Sequence, residues 1–388
     1  MKRINIIFAA LLATAGVHAQ TAGIDNILKS IEINNKDLKA NAQLISSQKL
    51  EAKTDNNLPD PTFSYAHLWG AGDATVSEMV VSQSFDFPTL YASRHKLNKL
   101  KMGAYDSQAE TVRRDILLQA KEVCLDIIML RQQKEILDER LKNAQELSVM
   151  YAERLKRGDA NIIETNKINL ELLNVKTEAN LNESSLVNKL QELYTLNGNT
   201  PIAFDEMMYP LVALPSDYEQ LRSEILSSDY ALMALLKESE AANKQVSINR
   251  SQWLPKLELG YRRNTESGEP FNGVVVGFSI PLFENRNKVK MAKAQSLNLN
   301  YQKESTTLQI ESELAQLYKE ARTLRTTMEE YEKADLNLAI LKEALTGGEI
   351  SMIEYFVEVS VVYQSKLNYL QLQNQYQKVM AGIYKNRL

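Results

Sequence analysis

The sequence predicts a mainly α-helical fold with a small β part: long antiparallel coiled-coil helical hairpins forming an α-barrel, plus four strands per chain contributing to a trimeric 12-stranded transmembrane β-barrel. Three observations predict it. The chain repeats its landmarks in two halves, its long Pro-free stretches carry apolar residues at heptad spacing, and its short extended stretches alternate apolar with polar residues.

At 388 residues the chain is long enough for a large core or for two repeated units. Gly and Pro are scarce, at 14 and 9, while charged residues make up 24 % and apolar residues 44 %, the composition of an ordered, helix-tolerant protein. The 45 basic and 49 acidic residues leave a net charge of −4. With no basic excess to neutralise phosphates, no nucleic-acid partner is expected.

Lys2 and Arg3 precede a mostly apolar run from Ile4 to Val17, and Val17-His18-Ala19 puts small residues where a signal peptidase reads them, so residues 1–19 read as a signal peptide cleaved before Gln20. The run is short for a membrane span, which needs about 20 residues. No Cys follows the cleavage site, so no lipid is expected at the mature N-terminus. The only Cys, Cys124, lies in a helical stretch and reads as a small buried hydrophobe. No other segment reaches about 18 apolar residues in a row. Membrane passage would therefore need a β-barrel, since only helices and closed barrels satisfy the backbone in lipid.

The halves match in order and motif. Leu58-Pro59-Asp60-Pro61 leads into an extended run from Thr62 to Gly70, and Leu254-Pro255-Lys256-Leu257 into one from Glu258 to Arg263. A Pro pushes its predecessor out of the helical region, so each Leu-Pro closes a helix and opens a strand. A second extended run follows in each half, Met79–Pro88 and Val274–Phe283. Deeper in, Gly158-Asp159-Ala160-Asn161-Ile162-Ile163-Glu164 aligns with Gly348-Glu349-Ile350-Ser351-Met352-Ile353-Glu354. The three landmarks are offset by 196, 193 and 190 residues, so the halves differ by short indels only. The expected organisation is a first helix–β-hairpin–helix repeat over 20–200, an irregular connection over 201–220 marked by Pro201, Pro210 and Pro215, and a second repeat over 221–388.

Residues 89–157 contain no Pro, and one helix over that stretch would run about 100 Å, far beyond the average of about 12 residues. Its apolar seam, Leu137, Leu141, Ala144, Ser148, Tyr151 and Leu155, advances by 4, 3, 4, 3 and 4. Ile168, Leu172, Val175, Ala179, Asn182 and Leu186 do the same on the return helix. The second half repeats the pattern with Tyr331, Ala334, Leu338, Leu341 and Leu345, then Tyr355, Val359, Val362, Lys366 and Tyr369. This is coiled-coil spacing, and the tight turns at Gly158 and at Gly347-Gly348 make each pair antiparallel. Ser148, Asn182 and Lys366 weaken the seams, which favours a closed ring of hairpins over isolated ones.

Phe63, Tyr65, His67 and Trp69 alternate with smaller or more polar neighbours, as do Val81, Gln83, Phe85 and Phe87, Leu257, Leu259 and Tyr261, and Val274, Val276, Phe278 and Ile280. Period-2 alternation marks a sheet with two unlike faces, and the lengths approach the about 9–11 residues of a membrane strand. Tyr65, Trp69 and Tyr261 are candidates for an interfacial aromatic girdle. Four strands cannot close a barrel with a lumen, whereas three chains supply 12, which points to a homotrimer.

With these features the chain resembles the TolC-like outer membrane efflux protein family. The resemblance rests on the signal peptide, the doubled helix–hairpin–helix unit, Leu58-Pro59-Asp60-Pro61, Trp253-Leu254-Pro255, the run Phe278–Phe283 and the Gly-x5-Glu turns at 158–164 and 348–354. The resemblance implies a homotrimer in outer-membrane lipid, with one 12-stranded barrel and a helical periplasmic tunnel. Its implied partners are a periplasmic adaptor and an inner-membrane pump of RND type. The short chain and the Leu-Pro-Asp-Pro motif look more like the heavy-metal cation efflux branch, similar to CusC and CzcC, although the lipid-attachment Cys of CusC-like relatives is missing. The implied function is passive conduction of metal cations or small toxic compounds to the exterior. The alternatives are a type I protein secretion channel and a soluble periplasmic coiled-coil interaction protein.

The same resemblance puts a gate at the helical tips. Arg157, Gly158, Gly347 and Gly348 are candidate adaptor contacts, and Asp159, Glu164, Glu349, Glu354 and Glu358 are candidates for acidic gate rings, which would favour cations at a constriction. The alternative is that these acids are solvated helix-start residues favoured by the helix dipole. No catalytic, cofactor or metal residues are expected: His67 and His95 have no paired Cys, HExxH or nucleophile motif around them, and the 12 Met are dispersed.

Overall fold

The structure, a computed structural model, describes residues 22–388 apart from 73, 267 and 334–337. The expected signal peptide and Ala334 of the seam lie outside the described residues. In chain order the elements are α1 (Ala22–Asn34), α2 (Lys36–Thr54), β1 (Thr62–Trp69), β2 (Thr75–Phe85), α3 (Pro88–Arg157), α4 (Ile162–Leu196), α5 (Tyr218–Ser228), α6 (Tyr230–Ser251), β3 (Lys256–Glu266), β4 (Glu269–Ser279), α7 (Lys288–Lys333), α8 (Leu338–Gly347) and α9 (Met352–Ile383). The Pro-free stretch is one helix of 70 residues, with Pro88 at its first position. There the missing N–H costs nothing, because the first helical N–H groups have no intrahelical partner. The chain divides into two compact units, one formed by the chain up to Lys39 with Arg113–Ile225 and Ser312–Leu388, the other by Ala40–Val112 and Leu226–Glu311.

In the first unit the core gathers on the middle of α3. Residues 123–128 are all buried, because Val123, Cys124, Leu125, Ile127 and Ile128 make the helix apolar nearly all round. Ile31 of α1, Leu193 of α4 and Phe204 pack on them. The connection between α4 and α5 has no regular structure, and its carbonyls are satisfied by helix side chains. Gln132 donates to Met207 O at 2.7 Å, Tyr318 to Pro215 O at 2.9 Å, and Tyr376 to Val212 O at 3.2 Å, while Arg131 caps the carbonyls of Phe204 and Glu206.

The heptad seams are where the spacing puts them. Leu137, Ala144 and Tyr151 on α3 and Ile168, Val175, Asn182 and Leu186 on α4 are buried, while most of their sequence neighbours are exposed. The polar seam positions are partly satisfied. Ser148 donates to Asn169 Oδ1 at 2.8 Å, and buried Asn182 donates to Leu130 O at 2.9 Å but leaves its own carbonyl oxygen without a partner. The hairpins are not isolated: Tyr151 and Ile168 of the first pack with Met352 and Tyr355 of the second.

The second unit holds an antiparallel sheet in the order β1-β2-β3-β4. The strand ends differ from the sequence reading: β1 stops at Trp69 rather than Gly70, β2 begins at Thr75 rather than Met79, and β3 runs Lys256–Glu266 rather than Glu258–Arg263. β2 ends at Phe85 rather than Pro88, because Asp86 N donates to Tyr91 Oη at 3.0 Å and the Asp86 carboxylate pairs with Arg94 at 2.7 Å, which turns the chain into α3. β4 runs Glu269–Ser279 rather than to Phe283, leaving the ladder before Pro281, which has no N–H to donate.

Both hairpin turns use the same device. Gly158 and Gly348 have φ of +80° and +76°, a region that L side chains enter at a cost. Gly158 N donates to Leu155 O and Asp159 N to Arg154 O, and 190 residues later Gly348 N donates to Leu345 O and Glu349 N to Ala344 O. These are paired Schellman closures. Replacing either Gly158 or Gly348 with Ala is expected to cost about 1 kcal/mol locally. Hydrogen exchange should report it as faster opening of the last turn of α3 or α8, with the sheet amides unchanged.

Candidate functional site

The strand register settles which side chains share a face. Phe63 stands opposite Val81, which stands opposite Tyr261, which stands opposite Val274. With period 2, one face therefore carries Phe63 and Tyr65 of β1, Met79, Val81 and Phe85 of β2, Leu257, Leu259 and Tyr261 of β3, and Val274, Val276 and Phe278 of β4, with Ser77, Gln83, Arg263 and Asn272 among them. The other face carries Ser64, Ser82, Ser84, Glu78, Glu258 and Arg262, with Val80 and Val275 among them. Glu78 and Arg262 form an ion pair there at 2.6 Å. The apolar face is open: Val274, Val276 and Phe278 are 79 %, 74 % and 73 % exposed.

Tyr65, Trp69 and Tyr261, proposed from the sequence as interfacial aromatics, share this apolar face. Trp69 ends β1 beside the turn and is exposed, while Tyr65 and Tyr261 lie midway along their strands. His67 bonds Ser77 Oγ through Nδ1 at 2.6 Å and meets Trp69 edge-on at 5.0 Å, a structural role.

The tip residues fall into two groups. Glu164 and Glu354 close capping boxes at the N-termini of α4 and α9. Ser351 N donates to Glu354 Oε2 at 2.8 Å and Asn161 N to Glu164 Oε2 at 3.4 Å. The bond from the Ser351 backbone holds the Glu354 carboxyl below its ordinary value. Asp159, Glu349, Glu358, Arg157, Gly158, Gly347 and Gly348 are exposed, and Arg157 lies 3.6 Å from Glu153. The shared cluster of Tyr151, Ile168, Met352 and Tyr355 brings the two tips together beneath these residues.

Sequence reasoning missed a buried charge centre. Asp126, 9 % exposed, faces out of the apolar run on α3 and meets Lys378 of α9 at 2.6 Å, Lys189 of α4 at 3.3 Å and Asn374 Nδ2 at 2.9 Å. Tyr209 of the connection donates to Asn374 Oδ1 at 3.4 Å. Burial would raise the Asp126 carboxyl, but the hydrogen bonds from Lys378 and Asn374 and the two lysine charges outweigh it and hold the group below its usual value. Burial pushes neighbouring Glu122 upward. The available signal was a single acid among Val123, Cys124, Leu125, Ile127 and Ile128.

Among the described residues no group of His, Cys, Asp and Glu could hold a metal ion, and no helix is long and apolar enough to cross a membrane. Cys124 is fully buried and its thiol is pushed up to about 12, so it is unreactive.

Comparison with known proteins gives the same picture. Residues 221–385 match the family model described as outer membrane efflux protein. A crystal structure of CusC, reported in connection with transmembrane channel formation, superposes with a TM-score of 0.76 at 14 % identity, covering 94 % of this chain and 91 % of that one. The CmeC outer membrane channel of Campylobacter jejuni gives 0.74 at 16 % identity, over 94 % and 85 %. The outer membrane protein VceC of Vibrio cholerae gives 0.71 at 16 % identity, over 94 % of each chain. No curated protein sequence matches.

Asp126 provides a direct test of the charge centre. Asp126→Asn keeps the shape but leaves Lys378 without its ion-pair partner, while Lys189 keeps Glu192 at 3.0 Å; each lysine is about a third exposed. The expected loss is about 2 kcal/mol in denaturant unfolding, with the partial exposure of the lysines keeping it below a fully buried pair. Because the folded carboxyl titrates below the unfolded value of about 3.9, its contribution is complete above that pH and lost as pH falls through the folded value. The variant should show a flatter stability profile on that acid limb.

Proposed function

We propose that this chain, whose residues 221–385 are of the outer membrane efflux protein family and whose described length has the fold of outer-membrane channels, is one subunit of a homotrimeric outer-membrane channel in a tripartite efflux system. The observation that carries the reading is the two-faced sheet, apolar and open on one side, with β1 and β4 each without a neighbouring strand on their outer edge among the described residues. Such a sheet is a liability in water. Three copies joined edge to edge supply 12 strands, remove the free edges, turn the apolar face to lipid and line a lumen with the face that carries Glu78, Arg262 and Glu258.

Residues 1–19 export the chain, and 20–200 and 221–388 are two copies of one module joined by 201–220. The helical hairpins form the periplasmic tunnel, and their tips form its gate. Arg157, Gly158, Gly347 and Gly348 meet a periplasmic adaptor, which couples the channel to an inner-membrane pump of RND type. The exposed carboxylates of Asp159, Glu349 and Glu358, repeated three times, form rings that favour cations, with Glu164 and Glu354 behind them. Metal cations or small toxic compounds are the cargo this charge pattern fits best. The protein contributes a path and a selectivity field rather than a reaction.

Two measurements test this reading. Detergent-extracted protein is expected to run as a trimer that heat converts to a monomer, and a monomer recovered in the aqueous fraction contradicts the reading. In planar bilayers, the double change Glu349→Gln and Glu354→Gln is expected to reduce cation preference several-fold, because Gln can still cap α9 while the charge is gone. Unchanged conductance and selectivity would remove the acidic gate from the account.

A further inference from the structure

At the end of α2 and the first turns of α3, Lys53, Asn56, Asn57, His95, Asn98, Lys99 and Met102 line a cavity of about 550 Å³. That volume lies within the about 300–1,000 Å³ of small-molecule sites. Its polar lining is unbalanced in two ways. Two lysines on the same helices have acidic partners, Lys49 with Asp106 and Lys101 at 3.6 Å from Asp55, while Lys96 has none. Among the described residues, Lys53 and Lys99 have no ion pair at all. The second imbalance is buried. The side-chain oxygens of Asn56 and Asn98 accept no hydrogen bond, and Asn98 is only 6 % exposed. A buried acceptor without a donor is destabilising; among the described residues seven side-chain oxygens are in that state, and two of them share this cavity.

The two imbalances call for one ligand carrying opposite charges. Lysines at the mouth suit a phosphate, which they bind as point charges. Orphaned amide oxygens suit an N–H donor, and a charged ammonium makes the stronger bond. The cavity also adjoins the last turn of α2, the negative end of that helix's dipole, which favours a cation. An inorganic phosphate would leave the amide oxygens unserved, and a simple amine would leave the lysines unserved.

We propose that this cavity binds a phosphoethanolamine headgroup, with Lys53 and Lys99 on the phosphate and Asn56 and Asn98 on the ammonium. The location supports a lipid as the source. Asn57 lies five residues before β1, and His95 to Met102 lie roughly two to four turns into the helix that follows β2, so the cavity flanks the chain's passage into the sheet. Only the lipid source rests on the outer-membrane reading; the headgroup chemistry stands without it.

The test uses the full chain purified in detergent and delipidated, probed by native mass spectrometry with phosphatidylethanolamine and phosphatidylglycerol, and by calorimetry with free phosphoethanolamine and inorganic phosphate. Phosphatidylethanolamine is expected to be retained at least tenfold more than phosphatidylglycerol, and free phosphoethanolamine but not equimolar phosphate should displace it. Lys53→Gln with Lys99→Gln, both exposed, should lower retention about tenfold. Asn98→Ser should erase the preference for the amine while leaving phosphate-dependent retention. Equal retention of the two lipids, or retention unaffected by the lysine changes, overturns the site. Binding of free phosphoethanolamine without the lipid overturns the lipid source. Because the calorimetric arm needs neither a trimer nor a bilayer, its failure is distinguishable from failure of the channel reading.

Discussion

A sheet with large apolar side chains on one face has to lay that face against something apolar. Phe63, Val81, Tyr261 and Val274 run across all four strands in register, and among the described residues the β4 end of that row is exposed. Covering a side chain of this size stabilises by about 1.5–3 kcal/mol, so an uncovered row forgoes a sum comparable with the whole stability of a domain. The face that carries the Glu78–Arg262 pair suits water, as the interior of a pore requires.

The helical unit solves a different problem. Coiled-coil seams bury only a narrow stripe per helix, so an antiparallel pair held by Leu137, Ala144, Val175 and Leu186 would be weak alone. The chain strengthens it by packing the second hairpin on the first through Tyr151, Ile168, Met352 and Tyr355, and by joining α3, α4 and α9 at Asp126 with Lys189, Lys378 and Asn374. A charge centre of this kind fixes which faces meet, because any slipped register would bury a charge without its partner.

Much of this is legible in the sequence because it follows from periodicity. The heptads predict the buried positions Leu137, Ala144, Tyr151, Ile168, Val175, Asn182 and Leu186 of α3 and α4, the alternation predicts the two faces of the sheet, and the aligned Gly-x5-Glu turns predict two tips that share the same pair of backbone bonds at Gly158 and Gly348. The ends of β2 and β4 are less legible, since whether a backbone N–H stays in the ladder at Asp86 depends on a hydroxyl five residues on, at Tyr91. Asp126 and the cavity by Asn98 are not legible at all. Each is assembled from residues far apart in the chain or from an amide whose partner is missing, and neither leaves a periodic trace.

The most direct test of the account is the environment of β4, residue by residue. Cys124 is buried and unreactive, so single cysteines placed from Asn272 to Phe278 can be spin-labelled in reconstituted protein without background. The account predicts alternation: labels at Val274, Val276 and Phe278 collide mainly with lipid-soluble oxygen, and labels at Gly273, Val275 and Gly277 mainly with a water-soluble nickel reagent. Uniform access to the water-soluble reagent along the whole strand would contradict it.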